Sequence, residues 1–370
     1  MTENTSRFVQ IHALVSYPPS NLNRDDMGRP KTAVMGGKQR LRISSQSLKR
    51  AWRESEFFLE ALSGHVGIRT KRLGEKVYFA LITGSSLSSV LNNTEDKVNP
   101  AMDEISAQKW TEYVVQVFAK VDTNTKFRAE QLVHVSHEEI SQIDKFLAKI
   151  AKNGEEPTDS EDLKSLMLKP VTDVDIALFG RMIAASPKYG VDAAAQVAHP
   201  ITIHPVVIED DYFTAVDDLN SHDEDAGAAH LGVSEYGAGV FYTYVCINRE
   251  LLIENLGGDV DLATRAICAL IECVAKIGPR GKQNSYASRV YASYMMVELG
   301  SYQPRSLAAA FLGPLSGDNY LLSGISRLEQ ECEALDSAYG PCADARCVLN
   351  VPKGEGTLQD VLKFVSGKDA

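Results

Sequence analysis

Between residues 21 and 53 the chain places nine lysines and arginines (Arg24, Arg29, Lys31, Lys38, Arg40, Arg42, Lys49, Arg50 and Arg53) against two acids, Asp25 and Asp26. The local charge is +7 in a chain of net −11, so everything outside this window sums to −18. Cations segregated in this way suit the holding of a phosphate backbone, because a polyanion is gripped by charge clustered on one face and not by the overall balance. Ser44, Ser45 and Gln46 add hydroxyls and an amide to the same stretch. Groups of these types touch phosphate and ribose and carry no base sequence, so a site built from them would accept any nucleic-acid sequence.

Two elements must position this set. Over 38–43 the pattern has period two, which predicts a strand with Lys38, Arg40 and Arg42 on a cationic face and Leu41 and Ile43 on a core face. Gly36 and Gly37 precede it and suit either a close backbone approach to nucleic acid or a plain hairpin turn. A helix follows from 45 to about 60, with Ser44 as its N-cap and with Ile43 and Leu48 at the positions of a hydrophobic staple. On that helix Leu48, Ala51, Trp52 and Ser55 share one stripe, while Gln46, Lys49, Arg50 and Arg53 share the opposite one. A charge run alone is usually a solvated face. Here strand and helix agree on one basic side, and the helix start adds outward N–H groups and a positive dipole end.

The remaining pattern predicts an α+β fold. Residues 8–16 alternate as a half-buried strand, with Val9, Ile11, Ala13 and Val15 opposite Gln10, His12, Leu14 and Ser16. Strand signals return at 240–248 and 291–299, with a helix at about 261–277 between them. This succession fits a split βαβ or RRM-like sheet. From about 60 to 170 the character changes to helix and polar connector, including helices at 103–120 and 137–152. The second of these opens on a capping box, Ser136 to Glu139. The domain reading is therefore a sheet domain of 1–60 and 171–370 interrupted by a helical lobe of 61–170. At 370 residues and 44% hydrophobic composition the chain can bury a substantial core. It has no apolar run of membrane-spanning length and no hydrophobic leader. The six cysteines include no CxxC pair and read as ordinary reduced thiols.

Other residues carry weaker chemistry. Asp25 and Asp26 could hold a divalent metal and cut RNA, a ribonuclease alternative, although adjacent acids beside Arg24 more often cap a turn or orient the arginine. His199 and His204 stand five apart in a strand-like stretch, and no HExxH, P-loop, GxGxxG or nucleophile elbow occurs, so neither a metal nor a cofactor is expected. Lys145, Lys149 and Lys152 form a helical stripe that would either steer DNA or simply solubilise a face. The stretch 198–239 contains no lysine or arginine, yet carries Tyr212, Phe213, Val216, Leu219 and Leu231, more apolar bulk than a surface loop needs.

The segment FVQIHALVSYPPSNLNRDDMGRPKTAVMGGKQRLRISSQSLKRAWRES resembles the amino-terminal signature of the CasC family, the repeated backbone subunit of the type I-E CRISPR Cascade complex. VDIALFGRMIA (174–184), AHPITIH to DDYFTAVDDL (198–219), AAHLGVSEYGAGVFYTYVCIN (228–248) and GPRGKQNSYA (278–287) are similar in the same order. The resemblance implies a modified RRM, ferredoxin-like palm with helical fingers and a β-hairpin thumb at about 198–239. It implies a non-catalytic subunit that polymerises along a crRNA guide and presents its bases to a target DNA strand in antiviral defence, in the cytoplasm. Asn23, Arg24, Lys31, Lys38, Arg40, Arg42, Ser44, Ser45, Gln46, Lys49, Arg53 and Lys282 would then hold RNA. Phe213, Thr214, Val216 and Leu231 of the thumb would wedge between bases, and so would Met182, whose bland alternative is a gap-filling core residue. Lys145, Lys149 and Lys152 would face target DNA. The implied partners are further copies of the chain stacked head to tail, the large, small, guide-end-capping and crRNA-processing subunits, and a recruited helicase-nuclease.

Overall fold

In the computed structural model, which describes residues 6–94, 96–153, 165–183, 186–215 and 230–367, the opening strand runs Phe8–Ser20 and is buried on both faces. Val9 and Ile11 are inaccessible on one side, and His12 and Leu14 on the other. The half-buried strand expected from alternation is therefore a central one. It pairs antiparallel with Tyr294–Gly300 on one edge and with His230–Asn248 on the other. Ile201–Thr202 pairs on the far edge of His230–Asn248, and Ala345–Asn350 lies outside Tyr294–Gly300. Numbered by sequence, the inner four strands lie in the order four, one, three, two, the order of the split βαβ arrangement. Ala345–Asn350 and the helices Tyr320–Tyr339 and Leu358–Ser366 were not anticipated from sequence.

These elements belong to the first of two compact units, which comprises residues 1–59, 196–248 and 267–370. One sheet face is covered by the helix Ser45–Arg53 and the later turns of Val260–Lys276. Trp52 is fully buried there and donates its indole N–H to the Ile277 carbonyl at 3.1 Å. The other face packs Leu14, Tyr242, Tyr294 and Met296 beneath Phe311, Ile325 and Leu328 of the following segments.

That second face also buries charge. Glu298 is wholly inaccessible and accepts from His12 Nε2 at 3.2 Å, Arg305 Nη1 at 2.5 Å and Arg346 Nε at 2.7 Å. Tyr242 OH lies 2.8 Å from His12 Nδ1 and accepts from the Leu307 N–H. This network assigns a neutral imidazole protonated on Nε2. Burial lowers the His12 pKa against the opposing pull of Glu298.

The second unit comprises residues 60–195 and 249–266. It thus runs past residue 170 and takes in 249–266, stretches the sequence reading assigned to the sheet domain. Its core joins Leu73, Val77 and Leu81 of the helix Leu73–Thr83 with Trp110, Val114 and Phe118 of Glu104–Phe118 and Ile143, Leu147 and Ile150 of His137–Asn153. The capping box is formed: Glu139 N–H donates to Ser136 Oγ, and Ser136 N–H to Glu139 Oε2. The same Glu139 oxygen holds buried Arg181 at 2.6 Å.

At the start of that helix His137 Nδ1 lies 3.2 Å from Asp173, a carboxylate with no exposure. The hydrogen bond to Asp173 raises the imidazole pKa above its ordinary 6.5 despite partial burial. A raised folded-state pKa stabilises below about pH 6.5, and the gain is lost as pH climbs through the folded value. The imidazole is about half exposed, so the effect should stay under about 1 kcal/mol. We predict that His137→Asn destabilises the protein at pH 6 and that the difference from wild type shrinks by pH 8 in denaturant titrations. A deficit that grows with pH would refute this.

Candidate nucleic-acid interface

The basic segment folds around Asn23. Its side-chain oxygen accepts from the Ser44 N–H at 2.8 Å, and its carbonyl accepts from the Lys31 N–H at 2.8 Å. The Lys31 carbonyl in turn accepts from the Arg42 N–H at 2.8 Å. Asn23 therefore caps the helix Ser45–Arg53 from a distance. Ser44 is the N-cap residue, as expected, but its side chain makes no capping bond. Ile43 and Leu48 are both buried at the staple positions, and Leu48, Ala51, Trp52 and Ser55 form the inner stripe.

Cations gather on the outer side of this turn. Arg42 Nη1 is 2.6 Å from His199 Nδ1. The His199 pKa is depressed, first by burial and then by the charges of Arg42 and Lys31, which places both cations beside a neutral imidazole that can accept. Arg24 and Lys38 are exposed. Lys38 follows the turn of a hairpin, Thr32–Met35 with Lys38–Leu41, whose Gly36 and Gly37 both have positive φ. A Cβ on Gly36 would sit 1.7 Å from the Leu312 carbonyl oxygen. Both glycines serve the turn, and Gly36 also permits a close approach to the Leu312 backbone.

Several expected positions lie elsewhere. The strand ends at Leu41, so the alternation read through Ile43 does not hold, and Arg40 points inward. Arg40 is completely buried and donates to the carbonyls of Thr202 at 2.7 Å and Phe311 at 3.1 Å. It is a pin inside the unit, not part of an outer cationic face. Lys49 is half-buried, and burial lowers its pKa. The helix ends at Arg53, short of residue 60. Its last turn and Arg280 surround one acid, Glu54, with Arg50 at 3.0 Å, Arg280 at 3.4 Å and Arg53 at 3.9 Å. Lys282 donates to Ser234 Oγ at 3.0 Å. Ser45 is buried and Gln46 exposed at the helix start. The cationic side is thus two regions: an outward group of Arg24, Lys31, Lys38 and Arg42, and a group tied around Glu54.

Asp25 shapes a turn. Its Oδ1 accepts from the Met27 and Arg29 N–H groups at 3.0 and 2.9 Å. His204 stacks on Tyr320 at 4.0 Å and accepts from the Val240 N–H. Among the described residues no group of His, Cys, Asp or Glu could hold a metal ion, all six cysteines are free, and no helix is long and apolar enough to cross a membrane.

The acidic stretch forms a hairpin, with Glu209–Ala215 paired to His230–Tyr236 of the long strand. Tyr212 and Phe213 are exposed to 63% and 44%, and Thr214 is exposed. Phe213 pairs with Gly232, where a Cβ would meet its ring at 2.3 Å, so the glycine makes room for the aromatic. Val216, the Leu231 side chain and the hairpin tip lie outside the described residues. Met182 in the second unit is 87% exposed beside a groove lined by Phe118, Leu132 and Ile183, which removes the core-filling alternative. Lys145, Lys149 and Lys152 are exposed on the helix His137–Asn153, opposite its buried Ile143, Leu147 and Ile150.

An RRM reads RNA by stacking bases on aromatic side chains of its open sheet face. Here the equivalent aromatics are closed over. Tyr242 and Tyr294 are buried, and His12 stacks between Tyr242 and Tyr244 inside the unit. The aromatic face of the sheet is therefore not open to bases. The covering helix lies in sequence that carried no legible strand or motif signal, which is why this closure was missed.

The family model described as CT1975-like protein (Cas_CT1975) matches residues 9–363. Two similar solved chains come from structures titled "CRISPR RNA-guided surveillance complex, pre-nicking" and "CRISPR RNA-guided surveillance complex". The first is 28% identical with a TM-score of 0.80, the second 25% identical with a TM-score of 0.59. Each alignment covers 97% of this chain and 99% of the other. No curated protein matches the chain.

Proposed function

Because the chain belongs to the CT1975-like Cas family, we propose that it is a non-catalytic crRNA-binding backbone subunit of a type I-E CRISPR Cascade complex, acting in the cytoplasm in antiviral defence. The observation that carries this reading is the cationic turn organised by Asn23, which sets Arg24, Lys31, Lys38 and Arg42 outward beside a capped helix start. Asn23 and Gln46 complete the surface for ribose and phosphate, and Ser44 and Ser45, buried at the helix start, support it from behind. Lys49, Arg53 and Lys282 border it, and Arg40 braces it from within.

The sheet unit is the palm, the acidic hairpin the thumb, and the helical lobe the fingers. Met182, Phe213 and Thr214 are apolar or small groups exposed where they could part stacked bases, with Val216 and Leu231 continuing the set toward the hairpin tip. The lysine stripe at 145, 149 and 152 faces target DNA. Because backbone contacts carry no base information, base pairing reads the sequence, while the protein holds the guide splayed and lowers the entropy cost of hybridisation. One chain covers only a short length of RNA, so several copies stack head to tail, with the large, small, guide-capping and processing subunits completing the assembly and a helicase-nuclease recruited to it. Asp25 is occupied in shaping its own turn, and no observation favours the ribonuclease alternative.

Native mass measurement of the chain co-expressed with a guide and its partner subunits tests the proposal. Several copies per guide are expected, and the copy number should rise when the guide is lengthened. A copy number indifferent to guide length would overturn it.

A further inference from the structure

The turn that carries the basic segment is fastened to the hairpin by Arg29 and Asn21, both outside the outward cation group. Arg29 Nε donates to both oxygens of Glu235, at 2.8 and 3.0 Å. The Arg29 side chain is 56% exposed and that of Glu235 only 16%. The turn is pinned against the same strand position from a second side, since the Asn21 amide donates to the carbonyls of Gly28 and Glu235 at 3.0 and 2.9 Å. Across the hairpin Glu235 stands directly opposite Asp210. Two like charges in register on neighbouring strands repel, and the guanidinium is the counter-ion that lets them face each other. Glu209 and Asp211 flank Asp210, so this end of the hairpin is a row of carboxylates beside a phosphate-binding surface.

We infer that Glu235 is an internal phosphate mimic. It occupies Arg29 in the unloaded chain, so that a polyanion arriving on the cationic turn must compete with the hairpin for this arginine. The inference rests on the proposed reading of the turn as an RNA surface and adds a regulatory step to it. Both Glu235 oxygens share the one Nε–H of Arg29, so the carboxylate neutralises the guanidinium and turns it toward the hairpin, and a phosphate must compete for that charge and that N–H. Stray RNA meets a surface with one arginine withheld and carboxylates nearby. A guide that also engages the remaining cations can displace Glu235, and the hairpin then loses the counter-ion that held Asp210 and Glu235 together. RNA occupancy and hairpin geometry are coupled through that exchange.

The test is binding of a labelled single-stranded oligouridylate, followed by fluorescence anisotropy at several salt concentrations. Glu235→Gln keeps the shape and the backbone contact to Asn21 but releases Arg29, and it should bind about two- to five-fold tighter than wild type, the range set by an exposed ion pair. Asp211→Asn removes the same charge from the hairpin without touching the pair and should gain less. In an Arg29→Gln background the advantage of Glu235→Gln should fall to the Asp211→Asn level. Unchanged thermal midpoints confirm that the variants fold. Equal affinities for Glu235→Gln and Asp211→Asn overturn the inference. So does weaker binding by Glu235→Gln, which would make Glu235 an orienter of Arg29 for phosphate. Absence of binding by every form removes the RNA-surface reading as well.

Discussion

Neutralising Arg24, Lys31, Lys38 and Arg42 together to glutamine is expected to cut affinity for single-stranded RNA by about two to three orders of magnitude near 0.1 M salt. The four are the cations that the Asn23 turn sets outward: Arg24 and Lys38 exposed, Lys31 and Arg42 beside a neutral His199. Each phosphate contact on a single strand releases part of a counter-ion, so the slope of log affinity against log salt should flatten by roughly 3. Arg24 and Lys38 are exposed and Lys31 and Arg42 half-buried, and each change should alter stability by about 0.5 kcal/mol or less. Lost binding with a retained thermal midpoint therefore speaks to the interface. A control pair of Arg50 and Arg280, which both meet Glu54, should change the slope much less. If both sets reduce binding equally, the division of the basic segment into an outward and an internally tied group is wrong.

The second large effect is on stability. Glu298→Gln should destabilise the sheet unit by about 3–5 kcal/mol and lower its thermal midpoint by roughly 10 °C. The carboxylate is inaccessible and satisfies Arg305, Arg346 and His12 at once. Removing its charge strands two guanidinium groups, leaving Asp336 as the acid that Arg346 meets at 2.6 Å. Burial pushes the Glu298 pKa up, but the hydrogen bonds from His12 and Arg305 and the adjacent Arg346 outweigh it and hold the carboxyl well below the usual range. A depressed carboxylate contributes stability above its unfolded pKa of about 4.5 and loses it as pH falls. His12, lowered by burial, adds acid sensitivity below about pH 6.5. Wild type should lose stability on acidification, and Glu298→Gln should show a flatter profile below pH 4.5. Denaturant titrations from pH 3 to 7 decide this. A variant as stable as wild type at pH 7 would show that the network is not a keystone of the sheet.

The asymmetry between these predictions follows from what local pattern can convey. The staple at Ile43 and Leu48, the inner stripe of the helix Ser45–Arg53 and the capping box at Ser136 are short-range, and each is present where the sequence placed it. Helical and strand periods were legible for the same reason: 3.6- and 2-residue spacings depend on which neighbours share a face.

The fate of each cation was not legible, because it depends on partners far along the chain. Arg40 is buried since the carbonyls of Thr202 and Phe311, some 160 and 270 residues on, are there to receive it. Arg29 is taken by Glu235 and Lys282 by Ser234. The opening strand alternates as if half-exposed, yet its polar face is buried because Glu298 and Tyr242 arrive to satisfy His12, and Arg305 and Arg346 to neutralise Glu298. Sequence alone determined that the chain carries a basic element on an α+β scaffold. Tertiary structure decided which of its charges face outward, because a buried ion is tolerable only where distant groups have been brought to meet it.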